Sequence, residues 1–157
     1  MGAREVTKIN IVAVGRLKDD FYRKAADEYV KRLGRFCEVK EFECPEGVDR
    51  GEEALKNREA EGILKKLRGY VILLDIGGSN LSSEQFSEKL DALRGAGRSE
   101  ITFVIGGSRG VAESVKRAAD ERLSFGKMTF PHRLMRVMLL EQIYRAFTIS
   151  EGLPYHK

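Results

Sequence analysis

Few side chains in this sequence can do chemistry near neutral pH. His132 and His156 are the only histidines, and imidazole is the side chain whose ordinary titration falls in that range, so these two are the candidates to receive or relay a proton. His132 follows Pro131 at the start of a long helical run, where a histidine also serves as a cap or as packing. His156 sits in the terminal triplet Tyr155-His156-Lys157, a polar tail that no core requires and that Gly152 and Pro154 set off from the helix. Arg145 lies four residues after Glu141. That spacing fits an ordinary helix ion pair, and it fits equally a guanidinium held ready for an anion.

A second group of candidates is backbone. Residues 101–105 (ITFVI) form the short apolar run that a strand buried on both faces needs, and they empty into Gly106-Gly107-Ser108-Arg109-Gly110. Residues 70–74 (YVILL) likewise run into Asp75-Ile76-Gly77-Gly78, and residues 123–130 offer a third β-like run, interrupted by Gly126 and closed by Pro131. The spacing is not G-x-G-x-x-G, and no Gly-Lys-Ser/Thr follows Gly106, so neither the dinucleotide fingerprint nor the P-loop is present. What fits is a ligand held by backbone amides and carbonyls and by an apolar slot of Leu74, Phe125, Met128 and Phe130. An adenosine with an uncharged sugar and an amino-acid tail has that character. At Gly106 a branched side chain is expected to enter the ligand's space and to restrict φ.

The elements that must position these residues are legible from periodicity. Residues 8–14 read as a strand, 20–33 as a helix stopped by Gly34, and 38–42 as a weaker strand before the loop Cys44-Pro45-Glu46-Gly47. A helix over 52–67 precedes the strand at 70–74. Ser82-Ser83-Glu84-Gln85 has capping-box spacing and opens a helix that runs through Leu93 to Gly95-Ala96-Gly97. The helix over 133–148 carries apolar residues in every quarter of its wheel, among them Leu134, Met135, Val137, Met138, Leu139 and Phe147. Such a helix must be covered on most sides, by its own domain and by a second subunit. Strands alternating with helices predict one α/β domain over 1–157, with a mostly parallel sheet, helices on both faces, and ligands off the carboxyl ends of the strands.

Composition narrows the class. With 157 residues, 42% hydrophobic and 33% charged, the chain has the make-up of an ordinary soluble domain. Its 28 Lys+Arg against 24 Asp+Glu leave a net charge of +4, which permits a nucleic-acid partner without demanding one. Lys24, Lys31 and Arg35 form a basic stripe that either tracks phosphates or is a solvated face, since Asp27 and Glu28 flank it. Cys37 and Cys44 are the only cysteines, and no four residues stand at zinc spacing, so no metal is expected. The first ten residues show neither an export signal nor a myristoylation pattern, since Val6 stands where Ser or Thr is required. A cytoplasmic protein without a membrane partner is the expectation.

The segments VIGGSRG, LSFGKMTFPHRLMRV, EQIYRAF and the terminal PYHK, with IVAVGRLKDDF near the start, resemble the ribosomal RNA large subunit methyltransferase H family of the SPOUT class. The match runs in order along almost the whole chain, with an extension of a few residues at the N-terminus and Arg109 at a variable loop position. The resemblance implies a C-terminal trefoil knot, an obligate homodimer, and transfer of a methyl group from S-adenosyl-L-methionine to N3 of a pseudouridine in a hairpin of 23S ribosomal RNA within the ribosome. Carried over by position, cofactor contacts fall on Leu74, Gly106, Phe125, Gly126, Lys127, Met128, Thr129 and Phe130. Catalytic roles fall on His156, or alternatively His132, as proton acceptor; on Arg145, holding a phosphate or the oxygen that gains charge; and on Tyr155, stacking on the flipped base. Arg136 and Lys157 are expected at phosphates. Two alternatives stand beside this one: a ribosome- or RNA-binding protein without catalysis, and a SPOUT-type methyltransferase of another RNA nucleotide.

Overall fold

The computed structural model describes residues 6–48 and 50–157. The N-terminal extension of residues 1–5 lies outside them. Five strands form one parallel sheet in the order β2-β1-β4-β3-β5. The strands are β1 (Lys8–Val14), β2 (Glu38–Cys44), β3 (Tyr70–Asn80), β4 (Glu100–Ile105) and β5 (Glu121–Ser124). Between and after them run α1 (Asp20–Leu33), α2 (Glu52–Leu64), α3 (Ser83–Gly95), α4 (Glu113–Ala118) and α5 (His132–Ser150).

Alternate residues of the central strands point to opposite faces, and each face has its own core. Ile9, Ile11, Ile72, Ile101 and Phe103 meet Ala26 and Leu33 of α1, Phe86 and Leu90 of α3, and Leu139, Ile143 and Phe147 of α5. On the other side Val12, Val14, Val71, Leu73 and Val104 meet Ala60 and Ile63 of α2 and Val115 of α4. The near-continuous apolar runs of β1 and β4 follow from this two-sided burial. Asn10 is the polar interruption of β1, and it is satisfied: its amide donates to Glu100 Oε2 at 3.0 Å and to Thr102 Oγ1 at 3.2 Å.

Three expectations are corrected, the first two at the carboxyl end of the sheet. First, β3 does not stop at Leu74. An irregularity between Leu74 and Ser79 lets it pair with β5 a second time, so Asp75-Ile76-Gly77-Gly78 is a bulge within a strand. Gly78 permits it, because a Cβ there would meet the Arg122–Leu123 backbone at 2.6 Å. Second, the run at 123–130 is strand only through Ser124, and residues 125–131 form a loop. Third, α2 ends at Leu64, three residues short of Leu67.

The capping box at α3 is present in full. Gln85 N–H donates to Ser82 Oγ at 3.1 Å, and Ser82 N–H donates to Gln85 Oε1 at 2.9 Å.

Candidate active site

The carboxyl ends of β3, β4 and β5 and the start of α5 enclose a cleft of about 720 Å³, within the roughly 300–1,000 Å³ range of small-molecule sites. The β3 bulge gives one wall (Leu74, Ile76), the loop after β4 a second (Gly106–Gly110), and the loop after β5 the third (Phe125, Gly126, Thr129, Phe130). The three strand ends named from sequence therefore meet at one place. Met128 is also part of the lining, but it is 78% exposed and stands at the mouth rather than in a slot. Ile76, 59% exposed, is a second exposed apolar group on that lining. Lys127 is exposed and stands outside the lining.

At Gly106 the structure supplies a reason for glycine beside the one expected from sequence. A Cβ on it would approach Val111 Cγ1 to 2.6 Å and the Gly110 backbone to 3.1 Å, so glycine is required by the folding of the loop on itself. Gly126 is the position whose conformation favours glycine: its φ is +120°, and nothing lies within 4 Å of where its Cβ would stand. Ser124 braces the turn, its hydroxyl lying 3.0 Å from Gly126 O and accepting from Gly126 N–H at 3.1 Å. Beneath the second wall the carboxylate of Glu59 accepts from Gly47 N–H at 3.1 Å and lies 2.8 Å from where a Gly107 Cβ would be.

His132, the first residue of α5, lines the cleft. It makes no side-chain cap; its Nε2 is 3.7 Å from Glu46 Oε1. Burial, with Arg133 beside it, lowers its pKa below 6.5, against the opposing pull of Glu46.

Arg136, one turn further, is not available to phosphate. It is 1% exposed, pairs with Glu43, and lies 3.7 Å from Glu41. Arg23 completes that group, at 2.9 Å from Glu41. The acids of β2 at alternate positions supply the carboxylates, a pattern that sequence reading passed over. The stripe of Lys24, Lys31 and Arg35 is solvent-exposed.

The C-terminal cluster is assembled away from this cleft. Arg145 forks Glu141 at 2.9 and 3.1 Å, and the ion pair raises its own pKa further. Its guanidinium lies 4.8 Å from the Tyr155 ring centroid. Tyr155 packs edge-on against Tyr144 at 4.8 Å, and burial together with a hydrogen bond to Tyr29 pushes its phenol up to about 12. His156 Nε2 is 2.6 Å from Glu84 Oε1, which lowers the Glu84 pKa. The residues named for catalysis, Arg145, Tyr155 and His156, thus form one cluster, joined to each other and not to the strand-end cleft of the same chain.

Among the described residues no group of three or more His, Cys, Asp or Glu is placed to hold a metal ion, and no helix is long and apolar enough to cross a membrane.

Residues 7–156 match a family model described as "Predicted SPOUT methyltransferase". Among curated proteins, the ribosomal RNA large subunit methyltransferase H of Alkaliphilus oremlandii is 48% identical over 157 residues, covering 95% of this chain and 99% of that one. The protein of the same name from Clostridium beijerinckii is 46% identical with the same coverage. Among solved structures, a probable methylase family protein from Haemophilus influenzae superposes with a TM-score of 0.53 at 17% identity, over 92% of this chain and 66% of that one, and it supports the fold alone. With family match and near full-length relatives in agreement, the chain belongs to the ribosomal RNA large subunit methyltransferase H family of SPOUT methyltransferases.

Proposed function

We propose that this enzyme transfers the methyl group of S-adenosylmethionine to N3 of a pseudouridine in a hairpin of 23S ribosomal RNA, acting as a cytoplasmic homodimer on the ribosome. The observation that carries the reading is the convergence of three strand-end walls on a single cleft with no phosphate-binding motif. The cleft fits the donor. Leu74, Ile105, Phe125 and Phe130 offer apolar surface to an adenine, and the glycine loops let backbone come close without side chains intervening. S-adenosylmethionine supplies an activated methyl, and the protein's part is to place it and to exclude water. The trefoil threading of the segment after β5 belongs to the same reading, as family resemblance.

Dimerisation is supported by α5. Its core side is buried, with Met135 and Val137 partly buried against the same core, while Leu134 and Met138 remain partly exposed outside it. A second α5 packed there would cover them. In such a pair the tail cluster of one subunit can face the partner's cleft, which its own chain does not bring it to.

The experiment is calorimetry with S-adenosylmethionine on the protein alone, followed by transfer of labelled methyl to ribosomes from a strain lacking the enzyme, with mass mapping of the product. Saturable binding and one N3-methylated pseudouridine are expected. Ribosome binding without cofactor binding would mark a non-catalytic binding protein, and methyl at another nucleotide would redirect the substrate assignment.

A further inference from the structure

The amino ends of the strands form the edge of the sheet opposite the strand-end cleft, and positive charge is concentrated there. Because β2, β1, β4 and β3 lie side by side and parallel, the segments that lead into them fall in one row. These segments, residues 6–8, 34–38, 65–70 and 96–100, hold six cations, Lys8, Arg35, Lys65, Lys66, Arg68 and Arg98, and all six are exposed. They hold two carboxylates, Glu38 and Glu100, and Glu100 is half-buried and accepts from the Asn10 amide at 3.0 Å. Six against two is a surplus of four positive charges, which equals the +4 of the whole chain, so the remainder of the molecule is neutral overall.

The two edges treat their charges differently. Around the cleft, Arg122 pairs with Asp75 at 2.9 Å, Lys56 with Glu52 at 2.9 Å, and Arg133 lies 3.8 Å from Glu46. At the amino edge none of the six cations pairs with a carboxylate among the described residues. Four of them are nevertheless oriented. Arg35 lies over the Phe36 ring at 5.0 Å, Lys66 over Phe42 at 5.4 Å and Arg98 over Tyr70 at 6.0 Å, which sets the stems against aromatic surface and leaves the heads in water. Arg68 Nη1 donates to the Lys65 and Leu67 carbonyls at 3.1 and 2.9 Å, just past the end of α2. Like charges gathered along one edge repel each other, and a polyanion laid along that edge relieves the repulsion.

We propose that this edge binds the phosphate backbone of ribosomal RNA, at a segment other than the one that supplies the acceptor base. The inference rests on the methyltransferase reading and adds to it an anchor remote from the chemistry. Three interstrand spacings, about 14 Å, separate the first strand of the row from the last, which gives a backbone a line of cations to follow. The strands, about 20 Å long, hold this edge away from the cleft, so a nucleotide held at one is not the nucleotide held at the other. Lysine and arginine heads on long exposed stems donate to phosphate oxygens without reading base edges, so the contact positions the RNA and leaves selection of the base to the cleft. Each phosphate neutralised releases counterions, and binding through this edge weakens steeply as salt rises.

The test compares the pair Arg68→Gln and Arg98→Gln, made together, with the charge-keeping pair Arg68→Lys and Arg98→Lys. A third protein, Lys65→Gln with Lys66→Gln, decides alone if loss of the Arg68 bonds to α2 disturbs folding. Calorimetry with S-adenosylhomocysteine and sedimentation should match the wild type in all three. Binding to ribosomes, and at low salt to a duplex RNA of unrelated sequence, is followed as salt is raised, and KM and kcat are measured for methyl transfer to ribosomes. Both glutamine pairs should raise KM by about tenfold with kcat within about twofold, and should make the salt dependence shallower by about 0.7–0.9 in log–log slope per cation removed, while the lysine pair stays near the wild type. Wild-type KM and slope in the glutamine pairs overturn the proposal, as does a fall in kcat at saturating ribosomes or a lysine pair as impaired as the glutamine pair. Weaker ribosome binding with unchanged duplex binding would assign the edge to a ribosomal protein and also overturns it. If the wild type transfers no methyl, the methyltransferase reading falls, and duplex binding still judges the edge by itself.

Discussion

Arg145 Nη1 stands 3.0 Å from His156 Nδ1, so the last helix and the chain terminus are joined through the one guanidinium that also holds Glu141. Glu84, on α3, holds the other ring nitrogen. The imidazole is thereby a spacer between a cation and an anion, placed to orient Arg145. Removing residues 155–157 should leave dimerisation and cofactor affinity unchanged and lower methylation by about a hundredfold. His156→Asn, whose side-chain oxygen can replace Nδ1 as an acceptor, should retain far more activity than His156→Ala. Equal losses in the two variants, read by single-turnover transfer to ribosomes, would instead make the imidazole a proton relay.

The two glycines of the cleft should behave differently. Gly126→Ala forces an L side chain to φ +120°, a strain of about 1–3 kcal/mol confined to an open loop. The loop should relax to another path, weakening S-adenosylmethionine binding by calorimetry more than it lowers the melting temperature. Gly106→Val collides with Val111 and the Gly110 backbone and should reduce both together. A folded Gly106→Val protein with normal stability and abolished binding would restore the simpler view that the side chain only fills ligand space.

The sheet and the cleft were legible because two-sided burial leaves apolar runs that end in glycine, and a parallel sheet puts those ends at one edge. What sequence could not show is where a strand bends. β3 passes through its own glycines because β5 offers a second pairing partner, a tertiary fact with no local signature. Arg136 misled for a related reason. An arginine in a basic chain looks like a phosphate ligand until Glu41 and Glu43, remote in sequence, are brought beside it. Arg145, Tyr155 and His156 were each named from sequence, but their assembly into one cluster apart from the strand-end cleft was not, since spacing along a helix says nothing about which cavity a residue lies beside.

Helix α5 buries one side in its own domain and leaves part of the other exposed, so substitutions on the two sides should differ. Leu139 is fully buried in its own domain, so Leu139→Glu should unfold the monomer, an uncompensated buried charge costing several kcal/mol. Leu134 lies on the partly exposed side. Leu134→Glu should leave a folded protein that sediments as a monomer at concentrations where the wild type is a dimer. A dimer undisturbed by glutamate at Leu134 would move the interface off α5.

His132 should make the protein less stable in mild acid. Its side chain is 23% exposed and faces Arg133, Arg136 and Glu46. Burial and the two guanidiniums disfavour the imidazolium, while the single carboxylate at 3.7 Å opposes them more weakly. The folded pKa is therefore below the unfolded value of 6.5. Across that window the unfolded chain binds more protons than the folded one, so unfolding free energy increases with pH. The penalty is absent well above pH 6.5, grows as pH falls through that value, and is complete below the folded pKa. His132→Gln, which cannot take up the proton, should flatten this part of the profile in urea unfolding. The ring proton resonances of the wild type should titrate with a midpoint under 6.5. A midpoint above that value would mean that Glu46 dominates, in which case the slope of stability with pH reverses and the imidazolium becomes the form that the start of α5 holds in place.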